Sequence, residues 1–155
     1  MTDRPQSRLP SEPVEVLLVE DNPADGRLVR EAFAETDREP TVHTVSTGDA
    51  AVETLTQLAT DESRSLPDLA LVDLNLPGTD GCDLLEAIRG HSRLRRLPVL
   101  VLTSSVADED VVRSYDAAAN AYLTKPTDHG AYVSLMAAVE RFWLDNAQLP
   151  PNPLS

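Results

Sequence analysis

Apolar and polar positions along the chain switch repeatedly between a short continuous run and a helical spacing. VEVLLV at 14–19 is apolar, brief and closed by Glu20 and Asp21, the pattern of a buried strand. Asn22-Pro23-Ala24-Asp25 then offers an Asx cap with proline in the first turn. Leu28, Val29, Ala32 and Phe33 recur at helical spacing after it, which predicts a helix of about three turns ending near Thr36. The β-branched run TVHTVS at 41–46 predicts a second strand. Gly48-Asp49 ends it, and Ala51, Val52, Leu55 and Leu58 form the next helical stripe. After a polar linker from Thr60 to Pro67 the pattern continues as strand 68–73, helix 80–89, strand 98–103, helix 107–118, strand 121–124 and helix 128–144.

Five strands alternating with five helices over short connections define an α/β class. Right-handed βαβ units would build a doubly wound parallel sheet covered by helices on both faces. In such sheets ligands sit at the carboxyl ends of the strands, near the point where strand order reverses.

Composition narrows this picture. A chain of 155 residues suits one domain, expected over 14–145 between an N-terminal arm (1–13) and a short C-terminal tail (146–155). The longest apolar runs are far too short to span a bilayer, and MTDRPQSRLPSEP lacks the apolar core of a signal peptide, so a cytoplasmic protein is expected. The single cysteine, Cys82, excludes an intrachain disulfide and reads as a small buried residue at a helix start. His43, His91 and His129 are too scattered for a local metal site. A net charge of −13 disfavours nucleic acid and anionic membrane as partners. Of the 13 basic residues all but Lys125 are arginine, a composition suggestive of a high-salt cytoplasm. The lone lysine marks a place that wants a compact ammonium and not a planar fork.

The strand ends collect the candidate chemistry. Glu20 and Asp21 follow the first strand, Asp73 the third, Thr103 the fourth and Lys125 the fifth, while the second ends on Ser46-Thr47 without an acid. Three carboxylates that close raise one another's pKa unless a cation joins them. Oxygen donors suit Mg²⁺, and an incompletely filled shell leaves room for a phosphoryl oxygen, to which Lys125 and Thr103 supply a charge and a hydroxyl. Asp73 is then the candidate nucleophile, forming an aspartyl phosphate.

VLLVEDNPAD (16–25), PDLALVDLNLPGTDG (67–81), PVLVLTSS (98–105) and AYLTKP (121–126) resemble, in order and spacing, the blocks of a response-regulator receiver domain. The resemblance implies a flavodoxin-like fold with strand order 2-1-3-4-5 and a phosphoryl group taken by Asp73 from a histidine kinase. It places Asp21 and the backbone carbonyl of Asn75 on Mg²⁺, with Glu20 acting largely through water. Thr103 and Tyr122 become switch residues, Lys125 a phosphate partner, and the Lys125-Pro126 bond cis. Within the family the chain is most similar to stand-alone, chemotaxis-regulator-like members that partner phytochrome-like sensor kinases.

A receiver of this kind is a signalling switch and no enzyme beyond catalysing its own phosphorylation and dephosphorylation. Output is expected through an unknown downstream protein or a homodimer involving residues 107–146. A haloacid-dehalogenase-like phosphatase also uses a strand-ending aspartate and Mg²⁺, but Asn75 stands where its second acid belongs. A phosphorylation-independent interaction module would not need the acids and Lys125 intact. In the last helix, Tyr132, Leu135, Met136, Val139 and Trp143 form the expected core stripe, and Val133, Ala137 and Leu144 a second apolar face.

Overall fold

The computed structural model describes residues 13–61 and 63–146, so the expected arm and tail lie, but for their inner ends, outside the described residues. The elements in order are β1 (Glu15–Val19), α1 (Pro23–Ala34), β2 (Thr41–Val45), α2 (Gly48–Thr60), β3 (Leu69–Val72), α3 (Gly81–Gly90), β4 (Val99–Thr103), α4 (Asp108–Asp116), β5 (Ala121–Thr124) and α5 (His129–Val139). A π-helical segment, Glu140–Asn146, continues α5. All strand pairs are parallel, in the order β2-β1-β3-β4-β5.

The central strands read as unbroken apolar runs because both of their faces are covered. Val16 and Leu18 of β1, Leu69 and Leu71 of β3, and Leu100 and Leu102 of β4 pack with Val29, Phe33, Tyr132, Met136 and Val139 from α1 and α5. Leu17, Val19, Ala70, Val72, Val99 and Val101 point the other way, onto Ala51, Leu55, Leu85 and Ile88 of α2 and α3. The valine, leucine, isoleucine, phenylalanine and methionine side chains among these contribute about 1.5–3 kcal/mol each when fully buried.

Side-chain caps begin four of the helices where the chain leaves the sheet. Asn22 accepts from the N–H groups of Ala24 and Asp25, Thr47 from Ala50, Asp80 from Asp83 and Asp128 from Ala131. Helix α4 starts at Ala107 without such a cap.

The last helix departs from expectation. Its α-helical part stops at Val139, where Glu140 is buried and accepts the backbone N–H of Arg38 at 2.7 Å; Arg38 also pairs with Asp145 at 2.7 Å. Nor is the second apolar face free, since Val133 and Leu144 are half-buried against the same core as Leu135 and Trp143. Helix α5 lies against α1 as well as the sheet, so more than one stripe is covered. Among the described residues, the large apolar side chains left exposed are Val106, Val112, Tyr115 and Phe142.

At the opposite end of the sheet from the acids, Arg89 of α3 gathers the chain. Its guanidinium donates to the carbonyls of Ala118 (3.0 Å), Arg95 (3.0 Å) and Leu97 (2.6 Å) and to Asn120 Oδ1 (2.9 Å), which also accepts the N–H of Val99. Burial lowers the pKa of this arginine from its ordinary value.

Candidate functional site at the strand ends

Backbone pairing carries the sheet one residue past the strands and so aligns the chemistry. Asp73 donates its N–H to Val19 O at 3.0 Å, Glu20 to Val45 O at 3.0 Å, and Lys125 to Thr103 O at 2.8 Å. Glu20 and Asp73 are buried, at 4% and 5% exposure, whereas Asp21 faces solvent. One carboxylate oxygen from each of the three lies within 4.8 Å of the others. Three converging carboxylates, with oxygen as the donor, fit a hard divalent cation.

Lys125 enters this pocket from β5. Its ammonium bonds Asp73 Oδ2 at 2.7 Å, Glu20 Oε1 at 2.8 Å and Asp25 Oδ2 at 2.8 Å. Burial works against the charge, but the three carboxylate bonds outweigh it and hold the ammonium above its ordinary pKa. Burial likewise pushes the Glu20 carboxyl up to about 7; its bond to Lys125 opposes the rise and the Asp73 charge adds to it. The second oxygen of Asp73 accepts the N–H of Asn75 at 3.0 Å, which fixes the rotamer of the acid against the loop that follows it.

That loop is tightly seated. Gly81 opens α3 where a Cβ would fall 2.5 Å from Asp73 O and 2.7 Å from Leu74 Cα, so the helix can approach only without a side chain. Thr79 donates to Asp49 at 2.5 Å and thereby ties the loop to the first turn of α2.

Thr103 is fully buried at the end of β4, beside the pocket. Tyr122 is half-buried, its hydroxyl donating to Ser105 O at 2.8 Å; Ser105 Oγ in turn donates to Asp110 at 2.5 Å. The expected switch pair is thus connected to α4 through Ser105.

One expectation fails: none of the described peptide bonds is cis, so Lys125-Pro126 is trans. The trans isomer of an X–Pro bond is favoured by about 0.5–1 kcal/mol. With it in place Lys125 already reaches β4 through its backbone and three acids through its side chain. One participant went unforeseen, Asp25. Its signal was present in the sequence, an acid in the first turn of a helix that starts two residues after Asp21.

A doubly wound sheet with strand order 2-1-3-4-5, and acids and a lysine converging at the carboxyl ends of β1, β3 and β5, defines a flavodoxin-like protein with an acidic, cation-competent pocket at its topological switch point. Residues 16–137 match the response regulator receiver domain family, and the chain belongs to it. It is 38% identical to response regulator Rcp1 of a Synechocystis species, over 89% of this chain and 94% of that protein. Among solved structures it is similar to the phosphorylated cyanobacterial phytochrome response regulator RcpA (40% identity, 90% of this chain and 99% of that one, TM-score 0.82). The Mn²⁺-bound form of Rcp1 is also similar (38% identity, 89% and 99%, TM-score 0.78). The chain is therefore a receiver domain of two-component signalling, and the dehalogenase-like phosphatase reading is left without support. No described helix is long and apolar enough to cross a membrane.

Proposed function

We propose that Asp73 accepts a phosphoryl group from the phosphohistidine of a sensor kinase, and that the modified site resets a protein-binding surface built from α4, β5 and α5. The observation that carries this reading is the Lys125 ammonium 2.7 Å from a buried Asp73 whose neighbours are two further acids. In the transfer a carboxylate oxygen of Asp73 forms the new bond to phosphorus. The bond from phosphorus to the kinase imidazole breaks, and the ring nitrogen keeps the electron pair.

Glu20, Asp21, Asp73 and the backbone carbonyl of Asn75 are the groups that would hold Mg²⁺. The ion would supply positive charge for the phosphoryl oxygens and draw the three acids together. Lys125 stays charged throughout and offers N–H donors, and Thr103 offers a hydroxyl at the neighbouring strand end. The path from site to surface runs from Thr103 along the loop to Ser105, whose carbonyl holds Tyr122 and whose hydroxyl holds Asp110 of α4. Val112 and Tyr115 on α4 leave apolar area exposed on that surface for a downstream protein or a second copy. The similarity to RcpA, named as a phytochrome response regulator, supports a phytochrome-like sensor kinase as phosphodonor.

Incubation with a small acyl phosphate and Mg²⁺ tests the reading by intact mass. A gain of one hydroxylamine-sensitive phosphoryl group is expected in the wild type and none in Asp73→Asn. A wild type that gains no phosphate, or an Asp73→Asn variant that gains as much, would overturn it.

A further inference from the structure

Lys125 has three N–H donors and all three are directed at carboxylates, from β1, α1 and β3. Glu20 and Asp73 belong to the acid group that fits a cation; Asp25 does not. Asp25 sits in the first turn of α1 with its N–H on the Asn22 cap, and its carboxylate keeps 27% of its side-chain surface exposed against 2% for Glu20 and 6% for Asp73. An acid in a first helical turn ordinarily faces the positive helix end and solvent. This one reaches across to a lysine a hundred residues away in sequence.

We propose that Asp25 is a positioning residue for Lys125: it holds one N–H of the ammonium on the α1 side and so moderates the grip of the lysine on a phosphoryl group at Asp73. The inference rests on the receiver reading of the site. When Asp73 carries a phosphoryl group, the lysine must turn donors from carboxylates to phosphoryl oxygens. Cation binding would engage Glu20 and Asp73, but Asp25 lies outside that group and continues to compete. Its negative charge also lies close enough to oppose an incoming phosphoryl dianion. Both effects weaken the phosphorylated state; removing the charge while keeping the side-chain shape abolishes the repulsion and leaves only a weaker neutral acceptor for the lysine.

Because Lys125 is the only lysine in the chain, a protein labelled on lysine side-chain nitrogen gives a single ammonium resonance, a direct report on this contact. The experiment compares wild type, Asp25→Asn and Asp25→Glu, each checked for an unchanged urea midpoint. The resonance is recorded without metal, and the affinity for beryllium fluoride, a phosphoryl mimic, is measured with Mg²⁺. Asp25→Asn is expected to shift the ammonium resonance and to bind beryllium fluoride about threefold to fivefold more tightly, the scale of a partly exposed charge pair. Asp25→Glu is expected to return both readings toward wild type.

An unshifted resonance in Asp25→Asn overturns the proposal. So does a beryllium fluoride affinity that is unchanged or weaker. A wild type that binds the mimic nowhere and takes no phosphate overturns the receiver reading itself and the inference with it. That failure is told apart from the specific one because it is seen before any variant is made.

Discussion

Gly81 lies directly against the backbone of Asp73, with no room for so much as a methyl carbon between the start of α3 and the end of β3. Gly81→Ala must push the helix away from the acid or twist the acid away from its neighbours. A loss of about 1–3 kcal/mol in unfolding free energy is expected, the range for overpacking. A parallel drop in phosphorylation rate is expected with it. Urea unfolding at unchanged slope and the acyl phosphate assay check the two effects separately.

Lys125→Arg preserves the charge but not the geometry. The ammonium satisfies three convergent carboxylates from one point, whereas a guanidinium presents its donors in a plane and needs more room. The variant is expected to be phosphorylated yet to lose most of the change that phosphorylation produces at Tyr122. Fluorine-labelled tyrosine spectra with and without beryllium fluoride read this, and a wild-type response in the variant would count against it.

Arg89→Ala removes four bonds from one side chain at the end of the sheet remote from the acids. A hydrogen bond to a charged group is worth about 1.5–3 kcal/mol, and the carbonyls left behind can rehydrate in part. A net loss near the upper end of that range is expected in the urea midpoint. Arg89→Lys should recover only part of it, since an ammonium with three donors cannot reach four acceptors on two separate connections.

Cys82 is buried in α3 with its sulfur 3.9 Å from Ser114 Oγ. Burial raises the thiol pKa, the Ser114 contact opposing the rise only in part. A raised pKa means less thiolate at any pH below it, so reactivity falls for both access and ionisation. Iodoacetamide at mildly alkaline pH is expected to leave the native protein unmodified and to modify it quickly in urea. The folded state also resists thiolate formation, so stability conferred by the buried thiol is lost as pH rises beyond the ordinary thiol range.

The periodicity of the apolar positions was enough to place the strands and helices to within a few residues, except the carboxyl end of the last helix, expected at 144 where the α-helix stops at Val139. The strand-ending positions of Glu20, Asp21, Asp73 and Lys125 were enough to bring them to one edge. Asp25 was hidden because a first-turn acid has a sufficient local reason to exist; only the lie of α1 over the strand ends turns it toward Lys125. The π-helical segment was hidden because a wider turn leaves no trace in the spacing of a few apolar residues. Past Val139 that turn changes the facing of each later side chain, and Leu144 ends against the core and not on a second face. The isomer at Pro126 depends on an energy difference smaller than one good hydrogen bond, which local sequence does not settle.

The two ends of α4 are held very differently. Just beyond its carboxyl end, the Ala118 carbonyl is bound into the Arg89 knot with the starts of β4 and β5. Its uncapped amino end hangs beside the acid pocket and is tied there through Ser105. Mechanically this is an arm anchored at Ala118 and coupled to the pocket at Ala107 through the Ser105 hydroxyl. On the reading proposed above, a displacement at Thr103 and Ser105 would act on that amino end, and the exposed Val112 and Tyr115 would be carried with it relative to the Arg89 knot.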